Sequence, residues 1–248
     1  MPLVEVIAGE KTSDETIATV VKLARDAGKT AIVVGDCAGF LVNRILLPYI
    51  NECARLYEEG GSIENIDKNI EDFGMPMGPF TLADEVGLDV GYKVSKVLED
   101  AYGERMTVAP ILQKMLDIKL LGKKNKRGFY IHEGKNQSVN PELKTFQFHN
   151  KTFIKAEIVD RAILMMVNEA ARCLEEGIIK DASSLDMAMI MGTGFPPFRG
   201  GLLKYADSIG IEKVHLTLLH LEEKYGSRFA PAQLICTMAE KKEYFYKG

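Results

Sequence analysis

The spacing of apolar positions divides the chain into a short β-like opening and a long helical remainder. Residues 3 to 7, "LVEVI", are an apolar run broken by one carboxylate, Glu5, and residues 31 to 35, "AIVVG", are a second such run. Between them Ile17, Val20, Val21 and Ala24 recur at helical spacing up to Gly28, and Thr12 with Glu15 has capping-box spacing. Strand, helix, strand in this order predicts two parallel strands joined by a crossover. Only one further strand, "GFYIH" at 128 to 132, is suggested. Two strands alone are marginal in water, so the first 36 residues read as the edge of a larger sheet.

From Gly39 onward the period is helical, and it repeats. "NRILLPYINECARLYEEG" (43 to 60) parallels "DRAILMMVNEAARCLEEG" (160 to 177), with Arg44 on Arg161, Glu52 on Glu169 and Gly60 on Gly177. Further on, "MGPF" (77 to 80) pairs with "FPPF" (195 to 198), "ADEVG" (83 to 87) with "ADSIG" (206 to 210), and "GFY" (128 to 130) loosely with "YFY" (244 to 246). Each copy is about 90 residues of several helices. The polar stretch 134 to 154 reads as a linker. A duplicated helical unit predicts two copies packed as a pseudo-symmetric pair.

Composition narrows the function classes. The 248 residues carry a net charge of −4, which does not suggest a nucleic-acid partner. No apolar run approaches the roughly 18 to 20 residues of a membrane span. Cys37, Cys53, Cys173 and Cys236 show no metal-like spacing and read as reduced thiols of a cytoplasmic protein. No metal site is expected. His132, His149, His215 and His220 read as surface or packing residues.

Several polar groups stand in apolar surroundings. On a helix begun near Phe40, Asn43 shares a face with Leu47, Ile50, Ala54 and Tyr57. A buried amide without partners costs about 1–3 kcal/mol, so Asn43 bonds either to a neighbouring loop or to a ligand. The second repeat has Asp160 at that position. Pro48 frees the carbonyl of Arg44 and predicts a bend. Glu5 either faces water from an edge strand or, if buried, needs a cation, an imidazole or a raised pKa. "GMPMGPF" (74 to 80) is either a tight interhelical connection or a rigid turn where backbone approaches a ligand. "KLLGKKNKRGFY" (119 to 130) carries five cations, as a solvated loop or a phosphate contact. "GTGFPPFRGG" (192 to 201) follows no strand and is no dinucleotide cradle.

Taken together, "MPLVEVIAGEKTS", "GDCAGFLVNRILLPYINEC", "IDKNIEDFGMPMGPFTLADEVGLDVG" and "GKKNKRGFY" resemble the C-terminal part of L-3-hydroxyacyl-CoA dehydrogenases. The doubled helical unit is similar to that of the multifunctional α-subunit of bacterial fatty-acid β-oxidation complexes. The resemblance covers nearly the whole chain and is strongest over 1 to 130. It implies a mainly α fold: two tandem helical repeats of the dehydrogenase C-terminal (6-phosphogluconate-dehydrogenase-C-like) type, preceded by a β-α-β remnant of a Rossmann domain. The segments would be 1–36 (remnant), 37–133 (repeat 1), 134–154 (linker) and 155–248 (repeat 2).

The family oxidises the 3-hydroxyl of an acyl-CoA with NAD. The resemblance implies that Glu5 orients a catalytic histidine absent from this sequence and that Asn43 contacts substrate. Gly39, Phe40, Met77, Gly78, Pro79 and Phe80 become substrate-cleft candidates. The family's glycine-rich NAD domain and active-site serine are also absent, so NAD belongs to the parent enzyme. This chain alone is expected neither to bind NAD tightly nor to turn over substrate. The alternative is a non-catalytic helical module for self-association or for docking within a β-oxidation complex.

Overall fold

The structure is a computed structural model. It describes residues 2–134, 136–149 and 151–246. Lys135 and Asn150 of the expected linker, together with Met1, Lys247 and Gly248, lie outside the described residues.

The opening is β1 (Leu3–Ala8), α1 (Asp14–Asp26) and β2 (Thr30–Gly35), and the strands pair in parallel with Glu5 opposite Ile32. The α1 cap sits one residue later than the spacing suggests. Ser13 accepts from the Thr16 amide at 3.2 Å, while the Thr12 hydroxyl accepts from the Gly9 amide. Ten further helices follow among the described residues: α2 (Val42–Glu58), α3 (Ile63–Phe73), α4 (Pro79–Val86), α5 (Leu88–Tyr102), α6 (Pro110–Asp117), α7 (Lys155–Glu175), α8 (Ala182–Thr193), α9 (Leu202–Ile209), α10 (Ile211–Tyr225) and α11 (Gln233–Lys241). Pro48 lies inside α2.

The chain forms two compact units, Met1–Leu46 with Met166–Gly248, and Leu47–Met165. The boundaries fall inside α2 and α7. Each unit therefore holds the body of one sequence repeat and the first turns of the other repeat's long helix. In the first unit the buried Arg44 guanidinium bonds Glu169 at 2.7 Å and Glu176 at 2.7 and 2.8 Å. In the second, the buried Arg161 bonds Glu52 and Glu59. These positions correspond across the duplication (44 to 161, 52 to 169, 59 to 176).

The correspondence continues in side chains that hold backbone. Asn51 takes the Ala109 amide and gives to the Thr107 carbonyl, and Asn168 does the same with Ala232 and Ala230. Asp67 accepts the Phe80 and Thr81 amides and the Tyr130 hydroxyl; Asp186 accepts the Leu203 and Lys204 amides and the Tyr246 hydroxyl. Asp84 takes the Phe129 and Tyr130 amides, as Asp207 takes those of Phe245 and Tyr246. This corrects one pairing. The structural partner of Gly78-Pro79-Phe80 is Gly201-Leu202-Leu203, not "FPPF", whose last two residues open a separate 3-10 turn at Pro197–Arg199. Local likeness of prolines misaligned a stretch in which the second copy is longer.

The segment read as a linker carries structure. β3 (Tyr130–Glu133) pairs antiparallel with β4 (Asn136–Val139), and a 3-10 turn spans Pro141–Phe146. Beyond it the Phe148 amide bonds Glu58 O at 2.8 Å and the Lys151 amide bonds Glu59 O at 3.1 Å. Polar composition hid these contacts because they use backbone atoms.

Candidate active site

The start of α2 is set by Glu5. Gly39 and Phe40 are both left-handed, with φ of 76° and 52°, so the chain turns sharply after β2. The first amides of a helix have no partner within it. Those of Leu41 and Val42 donate to Glu5 Oε1 at 2.9 and 3.2 Å. Glu5 thus caps α2 from the strand β1. Burial raises the Glu5 pKa, and the two amide bonds hold it back. No cation or imidazole bonds Glu5 among the described residues.

Asn43 follows on the first turn. It is exposed and has no hydrogen-bond partner among the described residues, whereas Leu47, Ile50, Ala54 and Tyr57 of its stripe are all buried. Phe40 is 42% exposed. Repeat 2 packs against this junction. A side chain at Gly192 of α8 would lie 2.9 Å from Leu3 and 3.0 Å from Val42, so this glycine lets α8 close on both elements that carry the site. Sequence reading did not assign Gly192, although its place in an apolar helix was a signal of close approach. Glu5, Gly39, Phe40 and Asn43 therefore gather at the β1–α2 junction of one unit.

The "GPF" residues belong to the other unit. Gly78, Pro79 and Phe80 are buried, and any side chain at Gly78 would overlap Asp67. The Gly78 amide donates to Glu71 at 3.2 Å. Met77 is half-buried. In the cationic loop Lys123, Lys124 and Arg127 pair with Glu85, Asp89 and Glu142, which accounts for three of its five charges locally. His132 is buried against Asp84 at 2.8 Å. All four cysteines are free thiols.

Beyond the carboxyl ends of β1 and β2 lies an open crevice of about 590 Å³ lined by Gly9, Glu10, Lys11, Thr12 and Asp36. Ligands of parallel sheets bind at such ends. Two carboxylates and one lysine stand among these residues. Among the described residues no group of His, Cys, Asp or Glu could hold a metal ion, and no helix is long and apolar enough to cross a membrane.

The chain matches the 3-hydroxyacyl-CoA dehydrogenase C-terminal domain twice, over residues 39–132 and 158–248, and the NAD binding domain of the same family over residues 1–37. It belongs to the 3-hydroxyacyl-CoA dehydrogenase family. It is 48% identical over 253 residues to the fatty acid oxidation complex subunit alpha of Shewanella amazonensis, covering 99% of this chain and 36% of that protein. Among solved structures it resembles the dehydrogenase part of multifunctional enzyme 1 from C. elegans, with 29% identity, a TM-score of 0.68, and coverage of 96% and 56% of the two chains. The fold also matches 3-hydroxybutyryl-CoA dehydrogenase from Escherichia coli K12, with a TM-score of 0.83 at 22% identity over 97% of this chain and 68% of that one.

Proposed function

We propose that these residues supply the substrate-side carboxylate and amide of an NAD-dependent enzyme that oxidises L-3-hydroxyacyl-CoA to 3-oxoacyl-CoA in fatty-acid β-oxidation. Glu5 is the group that orients a catalytic histidine carried outside these 248 residues, and Asn43 is a substrate contact. The observation that supports this most is the seating of Glu5. One oxygen is used by the α2 amides, which fixes the carboxylate and leaves its second oxygen to hold an imidazole N–H. Asn43 stands one residue beyond the capped amides, exposed and unbonded, as a substrate-contacting amide requires. The chain alone neither binds NAD tightly nor turns over substrate.

The test has two arms. In a polypeptide joining this chain to a complete nucleotide-binding domain, Glu5→Gln and Asn43→Ala each lower kcat for 3-hydroxybutyryl-CoA by about 10² or more, the lower range for acid–base groups. In the isolated chain, calorimetry detects no micromolar NAD binding. Unchanged kcat in either variant refutes the assigned roles, and micromolar NAD binding refutes the dependence on an added domain.

A second reading, a helical association or docking module of a β-oxidation complex, draws support from the exposed Val20, Leu23 and Val33 on the β-α-β element. Light scattering of the isolated chain tests it: a concentration-independent monomer argues against self-association.

A further inference from the structure

The turn that precedes α2 has a cost that the helical fold does not require. A bulky side chain with φ of 52° is uncommon and strained. In the second repeat the positions corresponding to Gly39 and Phe40 are Ala156 and Glu157, and both lie inside the regular helix α7. The duplicated unit therefore folds without this turn. Nor is the strain offset by burial of the ring. Phe40 is 42% exposed and makes no ring–ring or cation–ring contact among the described residues. The backbone around it is held on three sides: the Phe40 amide donates to Cys37 O at 3.0 Å, the Cys37 thiol donates to Phe40 O at 3.4 Å, and the next two amides are taken by Glu5. The turn thus holds an aromatic ring in the open, three residues before Asn43.

We infer that Phe40 is a specificity-determining residue, whose ring packs on the first acyl carbons beyond the reacting centre of the substrate. This rests on Asn43 contacting substrate. Three residues span at most about 11 Å of chain, so the Phe40 ring lies near the Asn43 amide. A ring at that distance from the amide reaches carbons a few bonds from the reacting oxygen, and not the far end of a long chain. An aliphatic segment is the chemistry that suits an exposed phenyl ring flanked by Gly39 and Leu41, with no charge on either neighbour.

The experiment is steady-state kinetics of the polypeptide that joins this chain to a complete nucleotide-binding domain. Substrates are 3-hydroxybutyryl-CoA and 3-hydroxyhexanoyl-CoA, and NAD is varied separately. Each methylene seated on apolar surface is worth about a factor of four. Phe40→Ala should raise KM for the hexanoyl substrate about 16-fold, as expected for two such contacts, with the butyryl KM and the NAD KM changing about twofold or less. Phe40→Leu should retain the hexanoyl preference. Phe40→Gly should lose the preference yet resist urea better than Phe40→Ala, because glycine relieves the left-handed strain; this keeps the test independent of misfolding. An equal rise in KM for both acyl substrates, or a rise for NAD, would overturn the inference by making the ring a wedge against the nucleotide-binding portion. An unchanged hexanoyl-to-butyryl ratio would also overturn it. A wild-type polypeptide that oxidises neither substrate would overturn the proposed function and this inference with it.

Discussion

Arg44→Met removes a cation that the first compact unit has buried completely. The guanidinium has no exposed side-chain surface, while its acceptors differ: the Glu169 side chain is 5% exposed and that of Glu176 is 43% exposed. Burial lowers the Arg44 pKa and the carboxylates raise it, and the carboxylates prevail. Removing one partner of a buried pair costs about 3–5 kcal/mol because the other charge is stranded. Half-exposed Glu176 regains water, so its share is that of a surface pair, about 0–1 kcal/mol. Glu169 keeps Arg172, whose Nε lies 3.8 Å away. Methionine replaces most of the aliphatic stem. The net expectation is about 3 kcal/mol lost.

Arg161→Met should cost more, about 4 kcal/mol, because Glu52 and Glu59 are 1% and 19% exposed. The assay is urea denaturation followed by far-ultraviolet circular dichroism, since the chain has no tryptophan. The double variant Arg44→Met/Glu169→Met should recover part of the loss, because neither charge is then stranded. A loss below about 1 kcal/mol for Arg44→Met, or a double variant no more stable than the single, would refute the reasoning that a stranded buried charge dominates.

Other expectations are more local. Gly78→Ala drives a methyl into buried Asp67 and should cost about 3 kcal/mol in denaturant titration. Gly201→Ala should behave alike against Asp186, with added strain at φ of 115°. Gly91→Ala, inside α5 with nothing within 4 Å, should stabilise by up to about 1 kcal/mol. Burial pushes the Asp67 carboxyl up to about 6 from its ordinary 3.8. The folded state therefore binds the proton more tightly. That contribution, about 3 kcal/mol, is complete below pH about 3.8 and is lost as pH rises through about 6. Asp67→Asn should flatten the stability profile between those values, read from urea midpoints across pH. Glu5→Ala uncaps α2 and should cost about 1–2 kcal/mol, whereas Glu5→Gln keeps an acceptor and should cost less.

Much of the architecture was legible in the order of residues because it depends on local periodicity. The β-α-β opening, the long helices, and the match of Arg44, Glu52 and Gly60 with Arg161, Glu169 and Gly177 are patterns within short windows. The odd placement of Glu5 and Asn43 was also visible, since a polar group on an apolar stripe stands out without coordinates. The Asp67–Asp186 equivalence was not, because the intervening segments differ in length and the constraint is a contact between a carboxylate and distant amides.

Tertiary structure alone decided how these groups are used. Sequence shows that Glu5 needs a partner; the fold supplies the Leu41 and Val42 amides from the far end of β2, a capping contact with no local signature. Sequence shows two repeats; the chain path divides α2 and α7 so that each buried arginine meets carboxylates of the other copy. It also left Phe40 in a left-handed turn where the second repeat runs straight helix, because backbone torsion follows from what surrounds a residue more than from its type.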